Sequence, residues 1–329
     1  MRVLIFGGAG MLGHKLCQHC RARFETWTTV RSTAAALTPY DPCDAGRILP
    51  GVDAMRIATV AEAVDRVKPS AVINCIGVTS PFCDARNPLP ALAINAIFPH
   101  QLADICRQSR TRLIHISTDG VFSGRKGMYR EEDAPCADNL YGRTKFLGEV
   151  GGRGCLTLRT SILGRELIAA HGLVEWFLAN RNGKVRGFRR AVYTGFTTQA
   201  LAGIIADILE KHPDLEGLYH VSSDPINKFD LLGLINEIHQ LEIQIEPDAD
   251  FICDRSLDST KFRGETGFRP QGWREMIQDM RQDPTPYDAW RAGNEQPCLS
   301  TFARRMSRDR MDRPAWSLPR QRSIATKTE

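Results

Sequence analysis

A hydroxyl, a phenol and an amine stand in this sequence at spacings that suit proton transfer. The segment RLIHIST at 112–118 alternates apolar and β-branched residues as a buried strand does, so Thr118 falls where that strand ends. Tyr141 and Lys145 lie four residues apart in a proline-free segment with a helical pattern, and they therefore share one helix face. We expect the Lys145 ammonium to lower the pKa of the Tyr141 phenol, and the Thr118 hydroxyl to bind the reacting oxygen. Because Tyr-x-x-x-Lys is common by chance, the competing interpretation is a pair of residues on a surface helix. The motifs that precede it in the chain distinguish the two interpretations.

A glycine-rich turn near the start of the chain supplies the first of these motifs. Gly7, Gly10 and Gly13 form a G-x-x-G-x-x-G pattern directly after the apolar segment RVLIF and directly before a segment of helical periodicity. Glycines at these positions allow a tight turn and let backbone amides approach a pyrophosphate at the helix N-terminus. A glycine pattern alone is a weak signal, but its place between a strand and a helix favours a dinucleotide site over a merely structural turn.

The choice of cofactor is predicted from the residue that follows the second strand. That strand is ETWTTV at 25–30, and Arg31 comes next. An acid at this position would bind the ribose 2′-hydroxyl of NAD, whereas an arginine suits the 2′-phosphate of NADP. We therefore expect NADPH as the cofactor, with NADH as the second choice, and an exposed loop arginine is the alternative interpretation.

The remaining strands are predicted from apolar runs. AVINCIGV at 71–78 is typical of a central parallel strand, and the small residues at its end would let a cofactor's ribose and nicotinamide pass over it. Residues 53–57 are predicted as a short third strand, and 89–110 as a helix. Asn95 in that helix is either a satisfied structural polar group or the holder of a water near Lys145. Strands that alternate with helices predict an α/β fold with a doubly wound parallel sheet.

Composition narrows the class of protein. Hydrophobic residues make up 42% and charged residues 25% of the 329, as in a soluble globular protein. No run is long and apolar enough to span a membrane, and a strand at the N-terminus leaves no room for a signal peptide, so we expect a cytoplasmic protein without membrane insertion. Cys17 and Cys20 form a C-x-x-C inside a predicted helix with no second pair at zinc spacing. We therefore expect reduced structural cysteines and no metal site.

The distribution of charge argues against a nucleic-acid-binding body. The net charge is +5, but the segment from Arg304 onward alone holds eight Lys or Arg and three acids. The rest of the chain is therefore close to neutral, which is unlike a nucleic-acid-binding domain. A solvated, disordered end is the favoured interpretation of the basic tail, over contact with RNA or acidic lipid.

Five motifs together resemble a known superfamily. In chain order they are GGAGMLG, VINCIG, INAIFPHQLA, HISTDGVFSG and YGRTK, and they resemble the extended short-chain dehydrogenase/reductase superfamily. The form STDGVFSG, followed by NLYGRTK, is similar to the dTDP-4-dehydrorhamnose reductase (RmlD-like) family of sugar-nucleotide reductases. The resemblance covers about residues 1–280 and is strongest before 165.

The resemblance implies a reaction and a role for each candidate residue. Tyr141 would donate a proton to a ketone oxygen, while Lys145 lowers its pKa and holds the nicotinamide ribose. Thr118 would take the hydroxyl role, and Asp119 would lie beside the sugar. A hydride would pass from NAD(P)H to C4 of a nucleotide-linked 4-keto-6-deoxysugar. The implied cofactor contacts, besides Tyr141 and Lys145, are Gly7, Gly10, Met11, Leu12, Arg31, Asp53, Ala54, Cys75, Ile76 and Gly77.

The resemblance also implies a division of the chain. Residues 1–165 would form the dinucleotide-binding Rossmann domain, with 185–222 returning to it. Residues 166–184 and 223–282 would form a smaller substrate-binding lobe over the carboxyl ends of the strands. The segment 283–329 would be a basic, mostly disordered tail.

Two departures from the family pattern bear on the substrate. Sugar-nucleotide dehydratases of the superfamily carry Asp-Glu after the threonine, but here Gly120 follows Asp119. The acid–base pair for elimination is therefore incomplete. Rhamnose-pathway reductases usually carry a tryptophan near the sugar, where this chain has Ile162. The superfamily chemistry stands, and the identity of the sugar does not follow from the sequence.

Two alternative functions stay open at this point. One is an epimerase that retains NAD and returns the hydride, which Arg31 disfavours. The other is a non-catalytic, NADP-binding regulatory subunit, which the retention of Thr118, Tyr141 and Lys145 disfavours. All three hypotheses allow for a homodimer, and the two enzymes imply a nucleotide-sugar substrate.

Overall fold

The computed structural model describes residues 1–32, 45–168 and 170–293. Strands and helices alternate along them until about residue 160, after which three strands form a second, smaller sheet. The strands are β1 (Arg2–Phe6), β2 (Glu25–Thr29), β3 (Ile48–Leu49), β4 (Ala71–Asn74), β5 (Arg112–Thr118), β6 (Cys155–Thr160), β7 (Ile162–Leu163), β8 (Lys184–Tyr193), β9 (Phe196–Thr197), β10 (Gly217–His220), β11 (Ile226–Asn227) and β12 (Gln244–Asp254).

The main sheet has seven parallel strands in the order β10-β6-β5-β4-β1-β2-β3. The chain winds outward from β1 to β3, then crosses back to place β4 on the other side of β1. This confirms the predicted doubly wound α/β fold and creates a topological switch point between β1 and β4. In open sheets of this kind ligands bind at that switch point, beyond the carboxyl ends of the strands.

Helices cover both faces of the sheet, which explains why β1 and β6 are almost wholly buried. One face packs on α1 and α7 through residues such as Leu16 and Ile205, and the other on α2 and α4 through Val64 and Leu102. None of these helices, in the part of the chain that is described, could cross a bilayer. The helices are α1 (Gly13–Cys20), α2 (Ile57–Val67), α3 (Leu89–Ala91), α4 (Phe98–Gln108), α5 (Leu140–Leu147), α6 (Leu173–Leu178), α7 (Thr198–Lys211), α8 (Lys228–His239), α9 (Thr260–Thr266), α10 (Trp273–Arg281) and α11 (Tyr287–Gly293).

The helix predicted at 89–110 is present but is not uniform. A π-helical stretch at Leu92–Ile97 joins α3 to α4 without a break. A π stretch inserts one extra residue into the turn, and such stretches are frequent at functional sites. Here the stretch contains Asn95, whose side chain is buried.

The third strand lies earlier than predicted. Ile48–Leu49 pairs with β2, whereas 53–57 form a turn that leads into α2. The physical reason is local: Met55 N donates to Asp53 Oδ1 at 2.9 Å, an interaction that bends the backbone out of the extended form. Residues 33–44, between β2 and β3, lie outside the described residues.

A smaller sheet of three strands, in the order β11-β8-β12, belongs to the predicted lobe. β8 lies in this sheet and not in the main one, so the return to the main sheet predicted at 185–222 starts later, after β8. The reason is visible in the strand KVRGFRRAVY, which exposes Arg186, Arg189 and Arg190 and so cannot be covered on both faces. β10 joins the main sheet beside β6, within the segment 185–222 that was expected to return to it. The division of the chain as a whole stays a prediction.

The start of the predicted tail is ordered against the body. Residues 283–293 are described, and they contact α1 and α6 through Asp283, Tyr287 and Arg291. The disordered segment predicted at 283–329 therefore does not begin at 283. The reason is that these eleven residues bury a tyrosine and a paired carboxylate, which composition alone conceals. Everything after 293 lies outside the described residues.

Candidate active site

The glycine turn after β1 closes so tightly that side chains are excluded from it. Gly7 has a φ of +88°, and Gly10 N donates to Gly7 O at 3.0 Å. A Cβ added to Gly13 would stand 2.1 Å from that same carbonyl oxygen. The turn ends at the start of α1, whose first amides have no intrahelical partner and attract an anion. The cradle therefore fits the pyrophosphate of a dinucleotide.

The ends of three neighbouring strands are tied around this turn. Gly8 N donates to Thr29 O of β2 at 3.0 Å, and Cys75 N, after β4, donates to Phe6 O at 3.1 Å. These bonds place Arg31, which is exposed, and Gly77 at the same edge of the sheet as the turn. The predicted cofactor residues from the β1, β2 and β4 ends thus lie together.

Four other residues were predicted to contact the cofactor, and they differ in whether the side chain or only the backbone is available for that contact. Met11 is partly buried at the turn, whereas the Leu12 side chain is buried in the core, so Leu12 has only its backbone to offer. Asp53 begins the turn before α2, where Thr59 Oγ1 accepts from its N–H at 3.0 Å, and Ala54 follows it. Their contacts with a cofactor stay predictions.

The three candidate catalytic residues meet at the end of β5. Thr118 is its last residue, and Thr118 Oγ1 accepts from Gly120 N at 3.0 Å and donates to Asp119 Oδ1 at 3.1 Å. The Tyr141 ring lies beside the same hydroxyl, because a Cβ on Gly120 would stand 3.1 Å from Tyr141 Cε1 and 3.2 Å from Thr118 Oγ1. Asn139 caps the helix that carries the tyrosine, because Asn139 Oδ1 accepts from Gly142 N at 2.8 Å. The strand end and the helix start are thereby fixed against each other.

Two glycines allow α5 to approach this closely. A Cβ on Gly142 would stand 2.1 Å from Gly120 O, and a Cβ on Gly120 would stand 3.1 Å from Tyr141 Cε1. The Tyr141 ring therefore passes directly over the turn at 119–121. The glycines of STDG and YGRTK set the distance between hydroxyl and phenol.

The pKa values of Tyr141 and Lys145 both depart from those of the free side chains. Burial raises the pKa of Tyr141 to about 12, and the neighbouring Thr118 opposes that rise. Lys145 is 6% exposed, and its Nζ donates to Ile116 O at 2.7 Å. Burial lowers the pKa of Lys145 to about 8, opposed by the Glu149 carboxylate. Desolvation of the phenol thus dominates the pKa of Tyr141, and the lowering expected from Lys145 stays a prediction.

Asn95 acts as a structural brace. Asn95 Oδ1 accepts from Val78 N at 2.8 Å, and Asn95 Nδ2 donates to Val78 O at 2.9 Å and to Thr144 Oγ1 at 3.3 Å. Its amide thus joins the loop after β4 to α5. Of the two interpretations of Asn95, the structure supports the satisfied polar group over the holder of a water.

The lobe brings two cations to the site that sequence reasoning missed. Burial raises the pKa of Asp119, and Arg255 and Lys228 oppose that rise. Lys228 Nζ lies 3.7 Å from the centre of the Tyr193 ring, and burial lowers the pKa of Lys228 to about 8. Neither cation stands in a motif with Asp119, more than a hundred residues earlier in the chain. Only the folded lobe brings them together.

The geometry provides a protonated phenol and a hydroxyl beside a dinucleotide cradle. Within the described ranges, no three His, Cys, Asp or Glu side chains are grouped so as to hold a metal ion. The arrangement suits hydride transfer to or from a carbonyl carbon, with proton transfer at its oxygen.

Comparison with known proteins adds independent information. The family model of the RmlD substrate binding domain matches residues 1–285. A dTDP-4-keto-6-deoxy-D-glucose reductase of Streptomyces niveus is 33% identical over 150 residues, which is 45% of this chain and 46% of the relative. The match thus spans about half the length of that relative.

Two further likenesses extend over more of the chain. The methionine adenosyltransferase 2 subunit beta of Xenopus laevis is 27% identical over 245 residues, which is 70% of each protein. The crystal structure of dTDP-4-dehydrorhamnose reductase from Bacillus anthracis str. Ames, in complex with NADP, covers 85% of this chain and 98% of that one with a TM-score of 0.71. At 20% identity, that structure is similar to this chain in fold.

Proposed function

The chain belongs to the RmlD substrate binding domain family, and from that membership we propose that it is an NADPH-dependent reductase of a nucleotide-linked 4-keto-6-deoxysugar. One observation carries the proposal: Thr118 and Tyr141 lie together at the end of β5, beside the switch point that holds the glycine turn. The Streptomyces niveus reductase, whose name gives a substrate of this class, supports the same chemistry.

The side chains of this site divide the work of ketone reduction. Bound NADPH supplies the hydride, which adds to the carbonyl carbon at C4 while the π electrons move onto the oxygen. Tyr141 gives its phenolic proton to that oxygen. With a pKa of about 12, Tyr141 is fully protonated at neutral pH and ready to act as the acid. Thr118 lies beside the phenol, and its hydroxyl can turn from Asp119 to donate its proton to the reacting carbonyl oxygen.

Lys145 serves the step that leaves Tyr141 as a phenolate. One ammonium proton binds Ile116 O, which fixes the amine within α5 on the same helix face as the phenol. The other two protons are available to the nicotinamide ribose and to the phenolate. A positive charge in this buried place stabilises the phenolate more than it would in water.

Arg31 and the lobe cations set what the site binds. Arg31 lies exposed past the end of β2, where its guanidinium can bind a 2′-phosphate, and the Bacillus anthracis structure holds NADP in the same fold. Asp119 faces the sugar, with Lys228 and Arg255 around it. Gly120, in place of an acid, disfavours dehydration.

A regulatory subunit without turnover is the second candidate. The observation that favours a regulatory subunit is the sequence similarity to the methionine adenosyltransferase 2 subunit beta of Xenopus laevis, which extends over 70% of this chain. The Thr118–Tyr141–Lys145 set favours the enzyme, whereas nothing in the site favours the NAD-retaining epimerase over it. The predicted cytoplasmic location and homodimer stay predictions, as does the absence of a nucleic-acid partner.

The deciding experiment measures NADPH oxidation by the purified full chain against a panel of nucleotide-linked 4-keto-6-deoxysugars with dTDP, UDP and GDP carriers. We expect turnover with at least one member and loss of that turnover in Tyr141→Phe. Tight NADPH binding without turnover on any member, together with capture of a partner enzyme, would replace the reductase by the subunit. NAD carried through purification would indicate the epimerase.

A further inference from the structure

The segment 283–293, here named the C-terminal strap, touches the start of the coenzyme helix. It follows α10 and lies on α1, whose first residues directly continue the glycine turn. The resemblance to reductases gave this segment no role. Its contacts are nevertheless buried, polar and continuous with the turn.

A chain of hydrogen bonds runs from the turn to the strap. His14 is fully buried, and its Nδ1 lies 2.8 Å from Gly10 O. Its Nε2 lies 3.1 Å from the Tyr287 hydroxyl oxygen, and that hydroxyl donates to Asp283 Oδ2 at 2.6 Å. The two rings also meet edge to face with centroids 5.8 Å apart. A turn residue is thus linked to the strap by one side chain.

Several contacts hold the C-terminal strap in place, at the end of this series of hydrogen bonds. Asp283 forms a buried ion pair with Lys15, and Lys15 Nζ also donates to Thr285 Oγ1 at 2.9 Å. The Arg165 guanidinium lies over the Tyr287 ring, with Arg165 Cζ 4.7 Å from the ring centroid. Arg291 NH1 donates to Glu175 Oε2 of α6 at 2.8 Å. Because several buried contacts fix Tyr287, it can restrain His14.

We infer that His14 is a positioning residue for the coenzyme-binding turn and that the C-terminal strap holds it in place. Gly10 O accepts from His14 N at 3.2 Å as well as from His14 Nδ1. Because the peptide unit is planar and trans, fixing this carbonyl directs the N–H of Met11 the opposite way, out of the helix N-terminus. That is where the pyrophosphate of the cofactor binds, so the inference rests on the proposed function.

A count of protons indicates how strong the restraint is. Gly10 O can only accept, so the neutral His14 ring carries its proton on Nδ1 and accepts at Nε2. Tyr287 has one hydroxyl proton, and two acceptors face it, of which the Asp283 carboxylate is the nearer. The Tyr287 proton is thus shared unequally, mainly with Asp283, and the His14–Tyr287 interaction is the weaker one. Its loss should weaken NADPH binding about threefold, and loss of both His14 bonds about tenfold.

The test is the Kd for NADPH of the full chain, measured by nicotinamide fluorescence titration, together with kcat and KM. Tyr287→Phe removes one hydroxyl and keeps the ring, so folding is preserved. His14→Leu removes both bonds, and His14→Asn keeps a donor near Gly10 O. Tyr219→Phe is the matched control, because the hydroxyl of Tyr219, on the edge strand β10, also donates to a carboxylate oxygen, Glu265 Oε2.

We expect Kd and KM for NADPH to rise about threefold in Tyr287→Phe and about tenfold in His14→Leu, with kcat within twofold of wild type. His14→Asn should recover most of the loss, and Tyr219→Phe should bind NADPH as wild type does. Wild-type Kd in both Tyr287→Phe and His14→Leu overturns the inference while the proposed function stands. If His14→Leu fails to fold, Tyr287→Phe decides alone. No NADPH binding by wild type overturns the proposed function and the inference with it.

Discussion

Gly142→Ala should keep the Tyr141 side chain but displace it, so this substitution tests whether catalysis depends on the exact position of the phenol. An added Cβ would stand 2.1 Å from the Gly120 carbonyl oxygen and 2.5 Å from Ala137 Cβ. Real Cβ contacts essentially never fall below 3.0 Å. The start of α5 must therefore move away from the turn at 119–121 by about 1 Å, and Tyr141 moves with it.

A displacement of that size is large for chemistry and modest for folding. A misplacement of about 1 Å costs on the order of 10²-fold in rate when a reacting group loses its aligned geometry. Overpacking of this kind costs about 1–3 kcal/mol in the free energy of unfolding, which a domain of this size survives. We therefore expect kcat for NADPH-dependent sugar reduction to fall about 10²-fold in a protein that still folds and binds NADPH.

The assay is initial-rate NADPH oxidation with the sugar that the panel identifies, beside a thermal melt and an NADPH titration. Gly203→Ala on α7 is the control, because a Cβ there meets nothing within 4 Å. It should leave kcat unchanged and stabilise the helix by about 0.5–1 kcal/mol. A kcat for Gly142→Ala within twofold of the control would refute the geometric reasoning, since the helix start would then tolerate displacement.

Three further predictions follow from charges and contacts. Burial lowers the pKa of Lys145 to about 8, so its ammonium is lost above that pH and kcat for reduction should fall as pH rises through about 8. Lys145→Met has no ammonium to lose, so its kcat should be low at every pH and should not show this fall. Arg31→Ala should raise the Kd for NADPH about tenfold and leave that for NADH nearly unchanged, because a charge-assisted bond to the 2′-phosphate is lost; equal loss for both cofactors would mean that Arg31 only supports its loop. Deletion of 304–329 should leave activity and melting temperature intact, whereas deletion of 283–329 removes the buried Lys15–Asp283 pair and should destabilise the protein; matched melts of the two truncations check this.

Local sequence patterns anticipated the parts of the site that are local in the chain. The strand, turn and helix around Gly7, and the strand that ends at Thr118, are each specified by periodicity and glycine position within a few residues. The four-residue spacing of Tyr141 and Lys145 placed them on one helix face without knowledge of the fold. Their roles in catalysis stay predictions.

The features that were missed depend on contacts between distant segments. Lys228 and Arg255 reach Asp119 only when the lobe is folded, and neither has a spacing that points to it. The raised pKa of Tyr141 comes from burial, which a spacing rule does not measure. The order of the strap at 283–293 comes from Tyr287 and Asp283 packing against α1, although its two prolines are typical of a tail.

The central claim, that Tyr141 is the proton donor of a ketone reductase, is tested most directly by Tyr141→Phe. The measurement is kcat with NADPH and the accepted nucleotide sugar, beside the NADPH Kd of the same protein. The phenylalanine keeps the ring over Gly120 and removes only the acidic proton. We predict an unchanged Kd and a kcat lower by about 10²-fold or more, as for a lost general acid. A near-normal kcat in Tyr141→Phe would contradict the account.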